Sequence, residues 1–140
     1  MNETKIKIGQ GYSIELNLNE LNIIDFININ GDKNPIHTDD EFCQRYSIFK
    51  EKVIPGALVV SFFSSIFGNN LPGKGSVLLK QEVNYKNPIF YGEKIILNVK
   101  ILQIIESKHI YKLETLCFNN DDKLVIDGIS YIYNKIVNIV

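Results

Sequence analysis

Residues 57–67, ALVVSFFSSIF, limit the possible folds more than any other stretch of the chain. The run is about three helical turns long, with Pro55-Gly56 before it and Gly68 after it. Its β-branched and aromatic residues also suit a strand, but the length and the flanking glycines favour a helix. A helix that is apolar on nearly every side must be surrounded by protein. The wider apolar stretch, Ile54 to Phe67, is broken by Pro55, Gly56 and several serines. It falls short of the roughly 20 residues that span a bilayer. The rest of the chain must therefore wrap this helix.

The wrapper lies in the second half, where the sequence changes character near residue 73. Residues 76–87, 94–105, 109–118 and 123–134 form four candidate strands, joined by turns at Tyr91-Gly92-Glu93, Glu106-Ser107-Lys108 and Asn119-Asn120-Asp121-Asp122. Val77, Leu79, Val83 and Tyr85 alternate with Lys80, Glu82, Asn84 and Lys86, which predicts a half-buried strand. Short connections make sequential strands antiparallel neighbours. In the first half, Asn19 caps a helix that carries Leu21, Ile24, Phe26 and Ile27 and ends at Gly31. Asp39 caps a short second helix running to about Tyr46, with Asp40 and Glu41 in its first turn. Adding a strand over residues 12–18 gives an α+β chain, an antiparallel sheet curved around one buried helix. This is the outline of a hotdog fold.

Composition narrows the function. At 140 residues the chain reads as one domain, 1–140, with no repeat or linker dividing it. A formal net charge of -1 excludes a general electrostatic binder of nucleic acid. The 45% hydrophobic content argues against disorder. Met1-Asn2-Glu3-Thr4-Lys5 lacks the pattern of a signal peptide, and two cysteines make no disulfide framework. The expectation is a cytoplasmic protein without a membrane segment.

The candidate chemistry lies in residues 29–39, INGDKNPIHTD. Gly31 ends a helix, and Pro35 forces Asn34 out of the α region, so the helix cannot continue. Asp32 and His37 therefore stand at the two ends of a tight loop. Such a loop can bring a carboxylate and an imidazole together on one small molecule, where either group can move a proton near neutral pH. Read alone, Asp32 serves equally as a turn cap and His37 as a packed side chain. Gly56, at the start of the apolar helix, offers an unpaired backbone N–H and the positive end of the dipole to a carbonyl oxygen gaining charge. Read alone, it serves equally as turn geometry.

Asp32-Lys33-Asn34-Pro35-Ile36-His37 resembles the D-x-N-P-[IL]-H signature of MaoC-like (R)-specific enoyl-CoA hydratases. The likeness continues in family order through Val53-Ile54-Pro55-Gly56-Ala57-Leu58, Ser61-Phe62-Phe63-Ser64, Leu71-Pro72-Gly73-Lys74-Gly75-Ser76 and Asn87-Pro88-Ile89-Phe90-Tyr91-Gly92-Glu93. It covers most of residues 10–105. The resemblance implies a hotdog homodimer with a continuous sheet, and hydration of trans-2-enoyl thioesters to (R)-3-hydroxyacyl thioesters or the reverse dehydration. By position, Asp32 and His37 match the catalytic dyad, and Gly56 matches the glycine whose N–H polarises the thioester carbonyl. Ser61 matches a supporting helix serine, and Asn34 supports the loop. Many members carry His where this chain has Pro55, a departure that leaves the Gly56 N–H in place. No cofactor or metal is implied beyond the coenzyme A or acyl carrier protein that bears the substrate.

Other candidates carry less. His109 falls in a predicted strand and reads as an exposed residue. Ser64 and Ser65 suit small packing roles in the helix. Cys43 and Cys117 lack partners for nucleophilic catalysis and suit buried thiols. Gly73-Lys74-Gly75 is too short for a phosphate-cradling loop. Lys50, Lys52, Lys74 and Lys86 suit a solvated surface, or contacts with a carrier's phosphates. A hotdog thioesterase and a catalytically silent acyl-binding protein are the competing functions. Apolar residues along the central helix and from Phe42 to Phe49 are expected to set acyl chain length.

Overall fold

The central helix forms where its flanking residues place it, with Pro55 as N-cap and Gly56 as first helical residue. The computed structural model describes residues 5–136. Its elements are β1 (Gly11–Asn17), α1 (Glu20–Asn30), a 3-10 turn (Pro35–His37), α2 (Asp40–Tyr46), α3 (Gly56–Asn69), β2 (Val77–Tyr85), β3 (Lys94–Ile105), a second 3-10 turn (Glu106–Lys108), β4 (Ile110–Phe118) and β5 (Leu124–Tyr133). The strands form one antiparallel sheet in the order β1-β3-β4-β5-β2.

Strand periodicity builds the core. Ile95, Leu97, Val99 and Ile101 of β3, Tyr111, Leu113 and Cys117 of β4, and Ile126 and Ile132 of β5 are buried at every second position. They meet Leu58, Val59, Phe63, Ile66 and Phe67 of α3 in one cluster. Phe63, with no exposure, stands at its centre. Each fully buried side chain of this kind contributes about 1.5–3 kcal/mol of transfer free energy. Gly128 lets β2 curl over β5, because a Cβ at that position would run into the Glu82 carbonyl.

Local capping follows the sequence. Asn19 accepts from Asn22 N while the Asn22 side chain accepts from Asn19 N, a reciprocal cap that starts α1, and α1 ends at Gly31. The Asp39 side chain accepts from Phe42 N and starts α2.

Four expectations are corrected. First, β2 pairs with β5 and not with β3. Lys86 and Asn87 still bond the Val125 carbonyl, after which the chain meets residues 53–54, where Ile54 N donates to Ile89 O and Val53 bridges Phe90, and enters β3 between β1 and β4. β2 is thus an edge strand, and Val77, Leu79 and Tyr85 are more than half exposed rather than half-buried. Second, α3 is not covered all round. Ala57, Ser61, Ser64 and Ser65 leave an exposed stripe of small residues at helical spacing. Gly68 does not stop the helix, which runs on to Asn69. Third, α1 buries Ile23, with Phe26 and Ile27 packed against the core, while Leu21 and Ile24 are exposed. Fourth, His109 is exposed as expected but sits in the turn before β4, in a left-handed conformation, with its ring edge-on to Tyr133.

Candidate active site

The loop after α1 is shaped by its own side chains. Asn30 Oδ1 accepts from Asp32 N (2.7 Å), Asp32 Oδ1 accepts from Asn34 N (2.9 Å), and Asn34 Oδ1 accepts from Ile36 N (3.3 Å). Each acceptor spares a backbone donor that the broken helix leaves unpaired. Asn34 thereby caps the 3-10 turn that ends in His37, with Pro35 as its first residue. The turn-forming role of Asp32 uses only one of its two carboxylate oxygens. The other, Oδ2, lies 3.5 Å from His37 Nε2.

His37 is nearly buried, its side chain 10% exposed against 36% for Asp32. Its Nδ1 lies 2.7 Å from the Val53 carbonyl oxygen. A carbonyl only accepts, so this contact assigns the proton of the neutral ring to Nδ1 and turns the Nε2 lone pair toward Asp32. Two acceptors facing each other at 3.5 Å leave room for a shared donor. A water placed about 2.8 Å from each, an ordinary hydrogen-bond distance, would fit to one side of the line joining them.

His37 also lines a cleft of about 290 Å³ with Ile36, Phe49, Val53, Gly56 and Tyr85. Gly56 is the first residue of α3, so its N–H has no acceptor within the helix. A Cβ on Gly56 would fall 2.5 Å from Tyr85 Cε1, so glycine keeps this wall of the cleft open. The helix N-terminus, His37 and an apolar wall thus meet around one opening. Of the aromatic residues expected along the chain-length segment, Phe49 reaches the cleft, whereas Phe42 packs against Tyr46, the rings tilted and their centroids 5.2 Å apart.

The remaining candidates lie apart. Ser61 is exposed, its hydroxyl donating to Leu58 O within α3 (2.5 Å), and it is not among the cleft residues. The Gly73-Lys74-Gly75 turn is tied to Asn134, whose Nδ2 donates to the carbonyls of Gly73 and Lys74. Cys43 is buried behind the loop, with Sγ 3.4 Å from Ile36 O, and burial together with the Asp40 and Asp39 carboxylates pushes its thiol pKa up. Burial pushes the Cys117 thiol up to about 12. Both thiols therefore stay protonated at neutral pH, which is unsuited to nucleophilic attack. Among the described residues, no group of three or more His, Cys, Asp or Glu side chains could hold a metal ion.

Two parts of the site lie within the resemblance motifs but are given no role by the sequence. The Val53 carbonyl that orients the imidazole is a backbone group, which any residue type would supply. Tyr91 sits in what reads as a connecting turn, yet its hydroxyl donates to the His37 carbonyl.

A sheet curled round one helix, with a carboxylate–imidazole pair beside that helix's N-terminus, defines an α+β protein of the hotdog class. The MaoC like domain family model matches residues 2–116, and the chain belongs to that family. Among its relatives, an (R)-specific enoyl-CoA hydratase of Aeromonas caviae is 30% identical over 128 residues, covering 91% of this chain and 95% of that protein. The mitochondrial 3-hydroxyacyl-[acyl-carrier-protein] dehydratase FERN of Solanum lycopersicum is 33% identical over 125 residues, covering 88% of this chain and 74% of that protein. The solved structure of an (R)-hydratase from A. caviae involved in PHA biosynthesis superposes with a TM-score of 0.89 at 28% identity, covering 94% of this chain and 99% of the other.

Proposed function

We propose that this chain is a hydro-lyase that hydrates trans-2-enoyl thioesters to (R)-3-hydroxyacyl thioesters, or runs the same reaction backwards as a dehydratase. The observation that carries the reading is the 3.5 Å gap between Asp32 Oδ2 and His37 Nε2, with Nδ1 tied to the Val53 carbonyl. The thioester carbonyl accepts from the Gly56 N–H, which draws electron density from the double bond and makes C3 electrophilic. A water held between Asp32 and His37 loses a proton to one of them as its oxygen bonds to C3. The C2 carbon receives a proton from the dyad on the same side. The π bond is consumed, one C–O and one C–H bond form, and no redox change occurs. The reaction therefore calls on no cofactor or metal, and the carrier is part of the substrate.

Coenzyme A and acyl carrier protein are both proposed as carriers, since the relatives' names include each. A homodimer is proposed on the exposed apolar edge of β2, where a second copy's strand can pair. Two free, buried cysteines suit a reducing cytoplasm. Among the described residues, no helix is long and apolar enough to cross a membrane.

The test follows crotonyl-CoA with the purified chain, reading loss of the enoyl thioester and release of free coenzyme A in parallel. Hydration without thiol release is the expected result. Thiol release alone would make the protein a thioesterase, and neither signal would make it an acyl binder.

A further inference from the structure

Val53 and Ile54 are stapled on both sides. On one side, Val53 N donates to Ile36 O (3.0 Å) and Val53 O receives the His37 ring. On the other, Val53 bridges Phe90 and Ile54 N donates to Ile89 O (2.8 Å). Tyr91 closes this frame. It stands at the end of the second flank, and its hydroxyl reaches back to the His37 carbonyl on the first. The Lys52 ammonium lies 4.7 Å from the centroid of the Tyr91 ring. That ammonium is 3.8 Å from both Glu20 Oε1 and Asp40 Oδ2, which head α1 and α2.

The turn pins the backbone around His37, with His37 N donating to Asn34 O (3.2 Å) and Thr38 N to Pro35 O (3.2 Å). To this the Val53 carbonyl adds a hold on the ring and the Tyr91 hydroxyl a hold on the His37 carbonyl. Tyr91 thus secures the peptide from which the imidazole hangs, and the distance from Nε2 to Asp32 depends on both holds. We propose that Tyr91 is a positioning residue for the hydration, its hydroxyl bond to the His37 carbonyl fixing the imidazole against Asp32, with Lys52 seating the ring. Tyr91 acts through its bond to the His37 carbonyl. Burial, with the Glu20 and Asp40 carboxylates, raises the pKa of the phenol, so it remains a donor well above neutral pH. The cation over the ring face adds an attraction that does not engage the hydroxyl.

This inference rests on the hydratase reading, and the experiment separates the two. Tyr91→Phe removes the hydroxyl and keeps the ring. In crotonyl-CoA hydration it should lower kcat roughly 3–10-fold, the equivalent of one hydrogen bond, with KM changed less than about twofold. Introduced into His37→Gln, the same substitution should cost nothing further, because the group it positions is gone. Histidine-selective ¹⁵N NMR supplies a readout independent of turnover. Tyr91→Phe should shift or broaden the His37 ring signals and leave those of His109 in place. An unchanged kcat, equal losses with and without His37, or His37 signals that do not move would overturn the positioning role. Full activity in folded His37→Gln would overturn the hydratase reading instead.

Discussion

Gly56→Ala tests the carbonyl site through a contact that can be worked out in advance. The new methyl would lie 2.5 Å from Tyr85 Cε1 and 2.9 Å from Cδ1. Ordinary carbon contacts are about 3.5–4.0 Å, so the ring must retreat by roughly 1 Å. It can do so, because Tyr85 ends an edge strand and is 60% exposed. The retreat costs about 1 kcal/mol of lost packing and rotamer preference. Alanine returns about 0.5–1 kcal/mol by stiffening the unfolded chain and suiting a helix. Stability should therefore change by no more than about 1 kcal/mol, a shift of roughly 2–5 °C in Tm. Catalysis should suffer more, since the methyl and the displaced ring both crowd the N–H offered to the thioester. Loss of one such donor costs about 10²–10³-fold in kcat. Crowding it should cost roughly 10–100-fold in kcat/KM, on the same principle. Thermal melting and crotonyl-CoA hydration on one preparation read both quantities. A folded Gly56→Ala protein with parental kcat/KM would refute the assignment of this N–H to the carbonyl.

Three further outcomes are expected. Cys117 holds its proton more tightly when folded, with its pKa raised by burial from an ordinary 9.0 to about 12. The unfolded chain therefore releases that proton first, and urea-unfolding stability should fall between about pH 9 and 12, with Cys117→Ala removing this part of the slope. Phe63→Ala empties the centre of the core and should lower urea-unfolding stability by about 3–5 kcal/mol. Sedimentation velocity at micromolar concentration should show a dimer, and a monomer alone would contradict the role given to the β2 edge.

Local rules carried much of this structure. Asn19, Gly31 and Asp39 mark helix ends through cap chemistry that acts within four residues, and the inward positions of β3, β4 and β5 follow a period of two. The sheet order was not legible in the same way. It depends on residues 86–93 carrying the chain from the β2 edge across to β3, beside β1, a tertiary path with no local signature. The buried face of α1 was ambiguous because Leu21, Ile23, Ile24, Phe26, Ile27 and Ile29 make it apolar on most sides. Gly31 and Pro35 break the helix and so bring Asp32 and His37 to one loop, which made the pair legible. The tethers that aim His37 were hidden, one being a carbonyl and the other a tyrosine 54 positions away. Ser61, to which resemblance gives a supporting role, bonds back to Leu58 within its own helix.

The central claim is that Asp32 and His37 act together on one water. Asp32→Asn tests it most directly, because the amide oxygen can still accept from Asn34 N and hold the turn. The folded variant should keep its melting temperature within a few degrees, with a stability change of about 1 kcal/mol or less. Its crotonyl-CoA hydration should fall roughly 10²–10⁴-fold, the usual loss of a positioned acid–base group. Adding His37→Gln should cost little more, because the two residues work as a unit. A folded Asp32→Asn protein that hydrates crotonyl-CoA at the parental rate would contradict the account.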